Sequence, residues 1–174
     1  NRLQIDNYSK KSYYFRKKLI FMKFDTLDQQ LLMYLQENSK ITYKELSDKL
    51  NLSSTAIHER IKKLEKSGII SKYVALVNRR LINKELLVFS HIKLQQHSAD
   101  NIKIFENEIV NLKEVQASYH VSGDYDYIIK MSFENMDEYR DFMVNKLTTI
   151  KVIGSTHSTF VIGDVKDDTA YQLL

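Results

Sequence analysis

The 174-residue sequence has no cysteine, no proline and no tryptophan, and only four glycines. Without cysteine there can be no disulfide and no thiolate metal site, which suits a reducing cytoplasm. Long apolar runs are missing as well. Nothing approaches the roughly 18–20 residues of a membrane span, and the short Leu-Ile-Phe-Met run at 19–22 lacks the length and cleavage site of a signal peptide. No membrane partner is therefore expected. What is present is globular composition, 43% hydrophobic and 28% charged. The length fits one large domain or two small ones, each able to bury a core.

Charge divides the chain. Residues 1–85 carry 18 Lys/Arg against 9 Asp/Glu, whereas residues 86–174 carry 8 against 13. A basic front and an acidic back point to an anionic polymer bound by one half only. Part of the excess sits in residues 1–21, with six Lys/Arg and one Asp. This stretch reads as a poorly ordered extension upstream of a natural start at Met22, with a basic arm for DNA or membrane as the alternative.

From residue 22 to 71 the pattern is helical. Thr26-Leu-Asp-Gln29 and Thr42-Tyr-Lys-Glu45 both have capping-box form. Leu27, Leu31 and Leu35 recur at one-turn intervals in the first helix, and Tyr43, Leu46 and Leu50 form the expected buried face of the second. Ser53 caps a third helix after a very short connection, and Gly68 stands where a left-handed cap is expected. The whole has helix-turn-helix form. On the third helix Ala56, Ile57, Ile61 and Leu64 face inward. Ser53, Ser54, Thr55, His58, Glu59, Arg60, Lys62 and Lys63 are the candidate contacts to double-stranded DNA, with hydroxyls and amides at the positive helix end and donors beyond. Thr55, His58 and Glu59 are placed to read bases, and Lys62 and Lys63 to hold phosphates. Arg60, among core-facing neighbours, has an inter-helix brace as its alternative role. A three-helix bundle with a solvated polar face is the bland reading.

Residues 72–85 read as a linker or strand, and residues 86–168 as β-α-β-β-α-β. Strands are expected at 86–94, 115–121, 127–133 and 156–165, and helices at 99–112 and 134–150. This is the split βαβ, ferredoxin-like sandwich, with helices on one sheet face. Tyr119, Tyr127, Met131 and Phe160 exceed the needs of one helical layer, so self-association is expected. RNA-recognition domains share the strand order, but the third strand has one lysine, no glycine and an acidic flanking turn, which argues against phosphate binding. Residues 169–174 form a C-terminal tail.

Two stretches, Leu52-Ser-Ser-Thr-Ala-Ile-His-Glu-Arg-Ile-Lys-Lys-Leu-Glu-Lys-Ser-Gly-Ile-Ile70 and Val121-Ser-Gly-Asp-Tyr-Asp-Tyr127, resemble the recognition helix and effector loop of the Lrp/AsnC (leucine-responsive/asparagine, feast-or-famine) regulators. The resemblance runs from about Phe24 to Lys166. It implies an α+β chain: an N-terminal winged helix-turn-helix domain plus a C-terminal ferredoxin-like domain that dimerises and builds larger assemblies such as octamers. It also implies an amino acid or related metabolite as effector, bound by the loop Gly123, Asp124, Tyr125 and Asp126 with Thr156 and Ser158 on the last strand. Ser158 departs there from the family's threonine.

The chemistry of the loop is compatible with that role. Glycine amides can take a carboxylate, an aspartate an ammonium group, and hydroxyls the remainder. The bland alternative is a hairpin turn whose aspartates cap backbone amides. A catalytic or metal cluster of Asp124, Asp126, His120 and His157 ranks lower, because alternate strand residues point to opposite faces. No nucleophile motif, phosphate loop or metal-ligand spacing occurs, so no cofactor is expected. The expected function is therefore sequence-specific transcription regulation tuned by a small effector. The alternatives are an effector-independent DNA-organising protein and a small enzyme using Asp124 and Asp126.

Overall fold

The computed structural model describes residues 24–174, so the basic extension expected at 1–21 lies outside it. The chain forms two units: residues up to Ala75 together with Asp167–Leu174, and Leu76–Lys166.

The first unit contains α1 (Thr26–Glu37), α2 (Tyr43–Leu50) and α3 (Ser54–Ser67). The first capping box is shifted by one residue from the expected Thr26–Gln29 pair. Asp25 is the cap, accepting the Asp28 N–H at 2.9 Å, and the Asp28 carboxylate takes the Asp25 N–H at 3.4 Å. A carboxylate at this position can also meet a cation from α3, which a threonine hydroxyl would not neutralise. The second box is as expected, with Thr42 accepting from the Glu45 N–H and Glu45 from the Thr42 N–H. Ser53 caps α3 through the Ala56 N–H, and Gly68 closes it at φ 76°. That left-handed backbone is cheap only without a Cβ. The core is Leu31, Leu32 and Leu35 against Leu46, Leu50, Ile57, Ile61 and Leu64. Tyr43, expected inside, is 44% exposed. No strand follows α3 over residues 71–78, so the wing is not built from paired strands among the described residues, and a 3-10 turn at Arg79–Ile82, already in the second unit, precedes its first strand.

That unit runs β1 (Leu86–Leu94), α4 (Ala99–Ile109), β2 (Val115–His120), β3 (Tyr127–Phe133), α5 (Met136–Asn145) and β4 (Ile153–Phe160). The sheet order is β2-β3-β1-β4, with every neighbouring pair antiparallel. Both helices end earlier than their apolar spacing predicts, and β4 lies three to five residues earlier than expected, because a 3-10 turn at Leu147–Thr149 replaces the last turn of helix.

Strand parity decides what each side chain meets. Val88, Ile92, Tyr127, Ile129, Met131 and Phe133 pack with Phe105 and Ile109 of α4 and Phe142 of α5. Tyr127 and Met131, expected to be surplus, are thus core residues at 2% and 0% exposure. Phe160 shares their face and meets Tyr139 edge-on at 5.1 Å. Of the four surplus residues only Tyr119 lies on the helix-free face, together with Phe89, His91, Ile128 and His157 by their cross-strand register.

Candidate functional site

The N-terminal turn of α3 leaves Ser53, Ser54, Thr55 and Glu59 exposed, with Lys62 exposed one turn on. Ser53 spends its hydroxyl on the cap, so its remaining contribution is the open helix end. His58 is half-buried, its ring 5.4 Å from that of Tyr43. Tyr43 therefore packs beside the imidazole. Sequence reading had assigned Tyr43 to the core, because one-turn spacing cannot separate the rim of an apolar stripe from its centre.

Two of the expected DNA contacts are committed inside the unit. Arg60 donates through Nη1 to Asp28 Oδ1 at 2.6 Å and to both Asp25 oxygens at 3.0 Å. Lys63 Nζ pairs with Asp28 Oδ2 at 3.1 Å. Asp28 itself is completely buried. Arg60 therefore takes its alternative role as a brace between α1 and α3, and Lys63 shares the same buried carboxylate. The Asp28 N–H holds the Asp25 carboxyl below the usual carboxylate range, and Arg60 adds to that. No local sequence signal sets Asp28 apart from any other first-turn acid.

The second candidate region is the β2–β3 turn. Val121 N–H bonds to the Asp126 carbonyl at 3.0 Å, and Asp126 N–H to the Ile92 carbonyl at 2.9 Å, so Ser122–Tyr125 project from a closed base. Gly123 sits at φ 117° in open space. Asp124 is exposed, with no side-chain hydrogen bond among the described residues. Asp126 is different: it accepts the Leu94 N–H at 2.7 Å and meets His97 Nδ1 at 2.7 Å. Its carboxylate ties the turn to the end of β1. The Leu94 N–H, and then His97, hold its carboxyl below the usual range.

The six expected effector residues are not all on one side. Thr156 and Ser158 register with Ile92 and Ser90, which places them on the helix side, and Ser158 Oγ shares a 2.6 Å hydrogen bond with buried Ser90. Tyr125 goes the other way. Its ring lies 5.0 Å from His91 and 6.5 Å from His157 on the helix-free face. The loop Gly123–Asp126 is one continuous feature, and the two β4 hydroxyls belong behind it. Sequence reading missed His97 and His91; neither occurs in a recognisable motif, and only the fold brings them to the loop.

The direction of the Asp126 shift fixes a pH dependence. A carboxylate depressed in the folded state contributes stability above its unfolded value of about 3.9, and that contribution is lost as pH falls through the lower folded value. The Leu94 amide proton should accordingly titrate with a midpoint below about 3.9. In Asp126→Asn that titration should vanish. An amide shift that is flat from neutral to acid pH in the wild type would show that the tie is not made.

Among the described residues no cluster of three or more His, Asp or Glu could hold a metal ion, and no helix is long and apolar enough to cross a membrane.

Each region lies within a stretch that matches a known family. The family described as winged helix-turn-helix DNA-binding matches residues 24–71, and the Lrp/AsnC ligand binding domain matches residues 87–171. The chain is 38% identical over 142 residues to the leucine-responsive regulatory protein of Haemophilus influenzae, covering 82% of this chain and 86% of that one. Its counterpart in Escherichia coli K12 is 34% identical, with 82% and 87% covered. A transcriptional regulator of Neisseria meningitidis, solved in complex with L-Met, superposes with a TM-score of 0.81 at 28% identity, covering 84% of this chain and 95% of that one. An AsnC family regulator of Agrobacterium tumefaciens gives 0.80 at 31% identity, with 84% and 95% covered.

Proposed function

The chain belongs to the Lrp/AsnC family of DNA-binding transcription regulators, and from that premise we propose how its own residues divide the work. The exposed start of α3, with His58 beside Tyr43, is the observation that carries the DNA reading. Thr55, His58 and Glu59 read base edges, Ser53 and Ser54 present the helix end to a phosphate, and Lys62 neutralises another. Arg60 and Lys63 hold α3 at the right angle through Asp28, so their contribution to binding is indirect. The family regulates transcription rather than catalysing a reaction, so Asp124 and Asp126 are assigned to binding.

A symmetric homodimer, assembling further into octamer-like particles, presents two such helices to half-sites about one helical turn or a multiple apart. The helix-free sheet face with Phe89, Tyr119 and Ile128 is the surface available for pairing. Selection from random duplexes should then enrich an inverted repeat. Lys62→Ala should weaken every sequence alike and lower the salt slope by roughly 0.9, one phosphate's worth. His58→Ala should instead change the preferred base at one position per half-site, by about 1–3 kcal/mol. Unchanged site preference in His58→Ala would remove this assignment.

The effector is proposed to be a free amino acid, seated at the Gly123–Asp126 loop and completed by a neighbouring subunit. Exposed Asp124 takes the ammonium group and the loop amides the carboxylate, while Asp126 keeps the loop in shape. Thr156 and Ser158 contribute from the strand behind. The L-Met complex of the Neisseria regulator supports the ligand class. Such a ligand regulates only if it binds one assembly or DNA-binding state better than the other.

A further inference from the structure

The last eight residues, Asp167–Leu174, group with the DNA-binding unit, although the strand they follow belongs to the other one. Their attachment is specific. Gln36, near the end of α1, donates from Nε2 to the Tyr171 carbonyl at 3.0 Å and accepts the Tyr171 N–H at Oε1 at 2.8 Å. One carboxamide thus satisfies both backbone groups of one residue, as a neighbouring strand would; glutamine can do this because it carries a donor and an acceptor side by side. Two residues on, Leu173 is half-buried against the Leu31–Leu46–Ile57 core. Asp168 accepts the Ala170 N–H at 2.9 Å and turns the segment into place. The chain consequently passes between its two units twice, at 75–76 and at 166–167.

We propose that residues 167–174 are a strap, a second tether latched by Gln36 that restrains the DNA-reading unit and relays the effector's state to it. Only the relay rests on the regulatory reading above; the latch stands without it. One covalent connection leaves a small domain free to swivel about an exposed linker, whereas a second one anchored on α1 removes most of those rotations. Both latch hydrogen bonds are exposed and Leu173 is only half-covered, so the strap opens at low cost, as a switchable element must.

Because the chain has no cysteine, a dye on Lys44→Cys, an exposed site on α2, reports the motion of this unit alone. Time-resolved anisotropy should be compared in three full proteins: the parent, the parent with Gln36→Ala, and the parent ending at Lys166. The slow depolarisation component should be lost in both variants. Amide exchange at Tyr171 should quicken about fivefold in Gln36→Ala, the worth of one ordinary hydrogen bond. Gln36→Ala alters a rim side chain, so it keeps the test valid should the truncated chain fail to fold. An unprotected Tyr171 amide in the parent, or identical decays in parent and Gln36→Ala, overturns the strap. The relay is read separately, as the change in DNA affinity on adding L-methionine or another amino acid of a full panel. A shift present in the parent and unchanged in Gln36→Ala overturns the relay. No shift in the parent overturns the effector reading and the relay with it, while anisotropy and exchange still decide the latch.

Discussion

Asp28→Ala is expected to cost the DNA-binding unit about 2–3 kcal/mol and to abolish DNA binding near physiological temperature. The carboxylate is completely buried, carries two cations, and supplies half of the α1 capping box. Removing one partner of a buried pair costs roughly 3–5 kcal/mol when the orphaned charge cannot escape. Here Arg60 retains Asp25 and is about one quarter exposed, which lowers the figure. A unit of this size has only a few kcal/mol of stability, so the loss is a large share of it. Denaturant unfolding followed by circular dichroism would register a lower midpoint for the helical transition. Restoring packing without charge, as Asp28→Leu with Arg60→Met, should recover part of the stability. If Asp28→Ala unfolds at the parental midpoint yet fails to bind DNA, Arg60 and Lys63 contact the nucleic acid after all.

Gly123→Val should reduce effector affinity at least about tenfold while leaving the melting temperature of the sheet unit nearly unchanged. The backbone at φ 117° is one that side-chain-bearing residues rarely adopt, at a penalty on the order of 1–3 kcal/mol. Nothing lies within 4 Å of the new Cβ, so the effect comes from the backbone alone and the loop relaxes instead of clashing. Its base stays closed by Val121, Asp126 and Ile92, which confines the change to the projecting turn. Calorimetry with L-methionine and a panel of other amino acids measures this. Asp124→Ala, which deletes a carboxylate without moving the backbone, separates loss of charge from loss of shape. Affinity in Gly123→Val within threefold of the parent would remove the loop from the site.

The elements and their order were legible because they are written locally. The Thr42–Glu45 box, the Ser53 cap, Gly68 and the alternation of Tyr127–Phe133 each act within a few residues. What alternation does not encode is which parity meets the helices, so Tyr127 and Met131 looked available for self-association when they were core. The roles of Asp28 and Asp126 were illegible for a related reason. Their partners, Arg60, Lys63 and the Leu94 N–H, lie 32 to 35 residues away, and only the fold brings them within bonding distance. The turn between β2 and β3 was legible from Ser122-Gly-Asp-Tyr125, but not the sides to which Tyr125, Thr156 and Ser158 would turn.

Tyr127 gives the sheet unit an optical property. The chain has eleven tyrosines and no tryptophan, so its near-ultraviolet emission is dominated by phenols. Tyr127 lies between Phe105, centroids 4.4 Å apart, and His120, stacked at 4.7 Å, and its hydroxyl donates to Glu106 at 2.9 Å. Burial first, and then Glu106, push its ionisation far above that of an exposed phenol. As pH rises, Tyr127 keeps its proton to a higher pH than an ordinary phenol does. Its share of the alkaline absorbance change therefore comes later than that of an ordinary phenol. Because it follows Asp126 directly in sequence, this phenol is a built-in spectroscopic witness at the root of the Gly123–Asp126 loop.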